Sequence, residues 1–203
     1  MHRFEPVIVA CDQWSLDVAH ALRGMLDLLL LQVHMHQIRW RAHCEALFRG
    51  DIPSAGYVVL CCHGLEKQLS DMPEEIRMGF HIQEERNGAW SPGEFGLTPN
   101  SIPDLVRLPG RTALALGCGC GREPLARAFL STGVRAYIGS PVPVDQDATA
   151  MFATAFFYHL LSPERDSAVT CSEREAVERA ARLDPYCREG TAPFRYYARE
   201  ATD

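Results

Sequence analysis

Short aliphatic runs alternate with stretches of helical periodicity along the first third of the chain. Pro6 to Ala10 reads as an apolar strand closed by a turn at Cys11-Asp12. Ser15 stands where a helix cap belongs, and Leu16, Ala19, Leu22, Leu26 and Leu29 return every three or four residues, which predicts a helix to about Leu30. Leu31 to Ile38 predicts a second strand, and Arg41 to Phe48 a helix stopped by Gly50. Tyr57 to Cys62 is a third strand, apolar throughout, that ends in His63-Gly64. Strand, helix, strand, helix, strand is the rhythm of a parallel sheet with crossovers, an α/β fold in which ligands sit beyond the carboxyl ends of strands.

The pattern then loses its regularity. Asp71, Pro73, Asn87-Gly88, Pro92-Gly93 and Gly96 punctuate Leu65 to Asn100, so residues 65–100 read as an irregular insertion within a single domain over 1–203. Asn100 to Leu105 predicts a short helix feeding Thr112 to Leu116, an uncharged strand of the kind covered on both faces. Gly117, Gly119 and Gly121 follow, separated by Cys118 and Cys120, so two thiols stand at a strand's carboxyl end where the backbone can turn sharply. A helix from Arg122 to Leu130, with Pro124 in its first turn, presents its amino end to that turn, and such an end favours thiolates and oxyanions. Beyond it, Arg135 to Gly139 predicts a strand, and Asp147 or a neighbour starts an amphipathic helix burying Ala148, Met151, Phe152, Ala155, Phe156 and Leu160. Ser172 with Glu175 makes a capping box for a last helix to about Leu183, and Phe194 to Tyr197 reads as extended.

Composition narrows the function. A chain of 203 residues, 47% hydrophobic, has ample material for a core, and a net charge of −6 offers no basic field for nucleic acid. No apolar run reaches the length of a membrane span, and Met25 to Val33 is broken by Asp27 and Gln32. The first residues lack a secretion signal, which points to a cytoplasmic protein whose eight cysteines are thiols.

A Cys/His couple on adjacent strand ends suits acyl transfer, because an imidazole exchanges protons near neutral pH and a thiolate attacks carbonyls. His63 and Cys118 are the candidates, with the Gly64 and Cys118 N–H groups as oxyanion donors and the Arg135 or Ser140 segment beside extended substrate. Asp145 has two readings, capping the following helix or receiving a basic substrate side chain. Cys61 and Cys62 read as core, and His34, His36, His43, His81 and His159 as surface or satisfied core residues. Cys61, Cys62, His63, Cys118 and Cys120 gathered at one edge would instead suit zinc, although their spacings are unlike those of structural zinc sites.

One further set of residues carries a resemblance. The strand-His-Gly, then Leu-Thr-Pro-Asn-Ser-Ile-Pro-Asp-Leu at 97–105, the strand ending in Cys118, and Gly-Val-Arg-Ala-Tyr-Ile-Gly-Ser-Pro-Val-Pro-Val-Asp at 133–145 together resemble the CHAT domain, a caspase-like cysteine peptidase family. The resemblance covers roughly Tyr57 to Leu161. It implies a three-layer α/β/α sandwich around a mostly parallel caspase-like sheet, with His63 and Cys118 as a dyad that hydrolyses peptide bonds. The position of Gly121 favours Cys118 over Cys120. The resemblance implies no cofactor and no metal, a protein or peptide as substrate, and a separate activating protein. Gly117 stands where the family usually has alanine, and Pro141 departs from its Gly-Ser-x-Trp-Pro pattern. A catalytically silent peptide-binding module is the alternative to the enzyme.

Overall fold

The computed structural model describes residues 4–64, 77–161, 171–182 and 194–199. Its elements run β1 (Val7–Cys11), α1 (Leu16–Leu28), β2 (Val33–Gln37), α2 (Arg41–Arg49), β3 (Tyr57–Cys61), β4 (His63–Gly64), β5 (Met78–Arg86) and β6 (Ala89–Leu97). There follow α3 (Ile102–Leu105), β7 (Thr112–Ala115), α4 (Glu123–Ser131), β8 (Ala136–Gly139), α5 (Gln146–Leu161), α6 (Glu173–Ala181) and β9 (Arg195–Ala198). The main sheet has the order β2-β1-β3-β7-β8-β9. Every pairing in it is parallel except that of β8 with the edge strand β9.

The α/β/α sandwich follows from strand alternation. Val7, Val9, Cys11, Val59, Cys61, Leu114 and Ile138 pack under α1, α5 and α6, whereas Ile8, Ala10, Val58, Leu60, Cys62, Ala113 and Tyr137 pack with α2, α3 and α4. Strands β1, β3, β7 and β8 are buried on both faces, which is why they read as continuous apolar runs. Among the described residues, no helix is long and apolar enough to cross a membrane.

The structure corrects the reading of residues 65–100. Residues 65–76 lie outside the described set, but 78–97 form a regular antiparallel hairpin, with β5 paired along its whole length to β6 and at its start to β4. Asn87 and Gly88 both have positive φ, 54° and 75°, as a two-residue hairpin turn requires. Met78, Phe80, Ile82, Phe95 and Leu97 point into the core beneath α2. Pro92, Gly93 and Gly96 hid this alternation, although none of them prevents pairing.

Smaller departures occur in the helices. Met151, expected on the buried face of α5, is 60% exposed, while Ala153 and Phe157 are buried instead. Ser15 occupies the cap position of α1 without a side-chain bond to the helix, because its hydroxyl is engaged elsewhere. The capping box of Ser172 and Glu175 on α6 is formed as the sequence predicts. That helix ends at Ala181 with Arg182 as its cap, just short of the expected end near Leu183, which itself lies outside the described residues.

Candidate active site

Sheet order decides what meets at the rim. Because β3 lies between β1 and β7, the residues just beyond their carboxyl ends stand in the sequence Asp12, His63, Cys118. Register keeps these ends level: Cys11 pairs with Cys61, and Leu60 with Ala115. Three neighbouring parallel strands thus bring a carboxylate, an imidazole and a thiol to the same end of the sheet.

Asp12 is fully buried, and its carboxylate is saturated with donors. Oδ1 accepts from the Trp14 and Ser15 N–H groups, both at 3.0 Å, and lies 2.9 Å from the Ser15 hydroxyl. Oδ2 accepts from the His81 N–H at 2.7 Å and lies 3.0 Å from His63 Nε2. Burial pushes this carboxyl's pKa up, but the hydrogen bonds from His63 and His81, the His63 charge and the Ser15 hydroxyl outweigh it, holding the group at about 2. The Ser15 hydroxyl also sits 2.6 Å from the Cys61 carbonyl oxygen, tying the loop after β1 to the end of β3.

The depressed pKa has a consequence for stability. An Asp that ionises more easily when folded stabilises the fold above the ordinary carboxylate pKa near 4, and that contribution disappears as pH falls toward 2. The expected result is that acid unfolding followed by circular dichroism shows a loss of roughly 2 kcal/mol between about pH 4 and 2 that an Asp12→Asn variant lacks.

Gly64 on β4 and the thiol turn are pressed together. A Cβ on Gly64 would overlap the Cys118 carbonyl oxygen, and one on Gly117 would lie 2.7 Å from the Cys62 carbonyl oxygen and 2.8 Å from Cys120 Sγ. Only glycine at 64 lets β4 run this close to the Cys118 backbone. Gly64→Ala should therefore cost roughly 1–3 kcal/mol in thermal unfolding and spread the two segments, visible as a changed alkylation rate at Cys118.

The two thiols of the turn differ sharply. Cys118 is exposed, and its Sγ lies 3.5 Å from both the N–H and the carbonyl oxygen of Val144. Cys120 is fully buried 3.8 Å from Cys62 Sγ, and that thiol contact together with burial pushes its pKa well up. Gly119, with φ of 66°, reverses the chain between them, and the Gly119 and Gly121 N–H groups bond to the Val142 and Ser140 carbonyls. Ser140 itself is buried, its hydroxyl donating to the Val142 carbonyl at 2.8 Å, so its side chain braces the loop that the thiol rests on. Asp145 is exposed one residue beyond Val144, and its carbonyl accepts the Thr149 N–H at the start of α5.

The zinc set of Cys61, Cys62, His63, Cys118 and Cys120 is not assembled. Cys61 and Cys62 are neighbours on an extended strand, so they project into opposite layers. Among the described residues, ligand atoms close enough to share a metal ion belong to Asp12, His63 and His81, all within 4.8 Å of one another. Asp12 and His81 were not legible as site residues. The available signal for Asp12 was a carboxylate just past a strand in a parallel sheet, and it reads more simply as a turn residue. Past Asp12 the rim opens into a cleft of about 760 Å³ lined by Trp14, Ile38, Trp40 and Pro92 among others.

Comparison with known proteins places this site in context. A family model described as the CHAT domain matches residues 41–187. The crystal structure of the Saccharomyces cerevisiae separase–securin complex is similar in fold, with a TM-score of 0.57 at 11% identity, over 97% of this chain and 12% of that one. The chain thus spans about an eighth of the protein it matches. No curated protein matches its sequence.

Proposed function

From the premise that the chain belongs to the CHAT domain family, with a caspase-like α/β fold, we propose that it is a cysteine endopeptidase acting through His63 and Cys118. The observation that supports this most is the strand order at the rim: buried, anionic Asp12 follows β1 and contacts His63, which follows the neighbouring β3, and the exposed Cys118 follows β7 on the other side of β3.

Asp12 offers only acceptors, so the nitrogen facing it, Nε2, carries the ring proton and Nδ1 keeps its lone pair. Nδ1 takes the Cys118 proton as the sulfur attacks the scissile carbonyl carbon, and the Asp12 anion stabilises the imidazolium that forms. The Gly64 and Cys118 N–H groups hold the oxyanion. Collapse of the tetrahedral intermediate breaks the C–N bond, the imidazolium gives its proton to the leaving amine, and the acyl group stays on sulfur as a thioester. Water, deprotonated by Nδ1, then releases the acid and regenerates the thiol.

Polarity along the rim follows from proton delivery. The leaving amine must lie on the His63 side, so residues after the scissile bond run toward the Trp14 cleft and those before it toward Ser140 to Asp145. The exposed Asp145 carboxylate, next to the residue that contacts the thiol, suits a basic side chain on the acyl side, while the Ser140 segment supplies backbone for an extended peptide. Separase was solved with securin, and a separate protein chain is the regulator proposed for this rim as well. The test is a fluorogenic peptide library with each residue type before the scissile bond. Preferential cleavage after Arg or Lys, weakened about tenfold or more in kcat/KM by Asp145→Asn, supports the assignment. Absence of hydrolysis of any member by a folded chain contradicts the enzyme and favours a silent peptide-binding module.

A further inference from the structure

His81 does more at this rim than lend its backbone N–H to Asp12. Its ring sits against that of His63, with centroids 4.7 Å apart, and edge-on to Trp14 at 5.8 Å. Donor atoms of Asp12, His63 and His81 all lie within 4.8 Å of one another. Ligands of a tetrahedral zinc ion stand about 3.4 Å apart, so small rotations of the two partly exposed rings close the gap around a common centre. The carboxylate is rigid, being held by the Trp14, Ser15 and His81 N–H groups. It is also an anion whose ion-pair partner, among the described residues, is His63 alone.

We propose that Asp12, His63 Nε2 and a ring nitrogen of His81 form a reversible inhibitory site for a divalent transition metal of the zinc class. Two imidazoles and one carboxylate are a borderline N/O donor set, and three protein ligands leave a fourth position for water. The metal takes the place of the proton between His63 Nε2 and Asp12. Coordination uses the Nε2 lone pair, so that proton moves to Nδ1, the imidazole stays neutral, and no co-reactant is consumed. With Nδ1 protonated, His63 can no longer accept the Cys118 proton. The inhibitory consequence rests on the peptidase reading above, whereas the metal site itself does not.

The test uses zinc as the probe and reads binding separately from chemistry. Isothermal titration of the chelator-treated chain at neutral pH is compared for wild type, Cys118→Ala, His81→Gln and His81→Asn, each checked for an unchanged circular dichroism spectrum. Either replacement at 81 keeps the backbone N–H that Asp12 needs, so the carboxylate stays in place. One zinc per chain is expected in wild type and Cys118→Ala alike, weakened at least about tenfold in both His81 variants. Loss of binding in Cys118→Ala would put the metal on the thiol and overturn the proposal, as would unchanged binding in both His81 variants or no stoichiometric binding by wild type. In parallel, the ratio of Cys118 alkylation rates by iodoacetamide without and with zinc should be large in wild type and close to one in His81→Gln. Binding with the expected variant pattern but with a ratio of one in wild type would leave the metal site standing and remove its link to catalysis.

Discussion

Cys118→Ala is expected to lower kcat/KM for peptide hydrolysis by at least about a thousandfold, while Cys120→Ala retains turnover within a few-fold of wild type. The two thiols are separated by one residue, yet Gly119 sends them to opposite sides of the turn. Cys118 reaches solvent at the rim. Cys120 faces Cys62 and the Tyr137 ring layer, where burial and the second thiol disfavour its thiolate. A nucleophile must be ionised and reachable, and only the first thiol meets the second condition. Truncating Cys120 leaves a small void in the core, so its cost should appear in thermal stability, by about 1 kcal/mol, instead of in turnover. The check is a pair of progress curves at equal concentrations of folded protein.

Asp12→Asn carries the second large effect, and it acts on two quantities at once. The amide keeps the shape of the carboxylate but loses its charge, so the imidazolium formed during attack has no buried anion beside it. If the amide NH2 turns toward His63, it reverses the ring's tautomer and opposes the His81 N–H; if it turns the other way, it opposes the N–H groups of Trp14 and Ser15. Either orientation leaves a donor facing a donor, which costs about 1–3 kcal/mol in stability. Turnover is expected to fall about a hundredfold or more at temperatures where the variant is fully folded. Measuring kcat well below the variant's own Tm separates the catalytic loss from unfolding. A hydrolysis rate that tracks the folded fraction alone would make Asp12 a structural residue.

Much of this arrangement is legible in the residues, and what is not has identifiable causes. Strands buried on both faces announce themselves by uninterrupted apolar runs, so β1, β3, β7 and β8 and the parallel sheet they form follow directly from the chain. The glycine-cysteine turn is equally plain, since glycines at alternate positions have few other uses. The β5–β6 hairpin is hidden because its second strand, Ala89 to Leu97, carries a proline and two glycines that propensity assigns to loops, although the Asn87-Gly88 turn between apolar alternations was the stronger signal. Asp12 is hidden for a different reason. Its role depends on β1 lying next to β3, and a strand order of 2-1-3-7-8-9 is a property of the whole sheet, not of any window of sequence. The same holds for His81, which arrives at the rim only because the hairpin folds back onto β4.

That His63 acts on Cys118 is tested most directly by the rate at which iodoacetamide modifies Cys118 at neutral pH with a chelator present. Mass spectrometry resolves Cys118 from the buried thiols, in wild type and in His63→Ala. A rate at least about tenfold lower in His63→Ala, with Cys118 as the modified residue in both proteins, is the result this account predicts. Equal rates in the two proteins, or modification directed to Cys120, would contradict it.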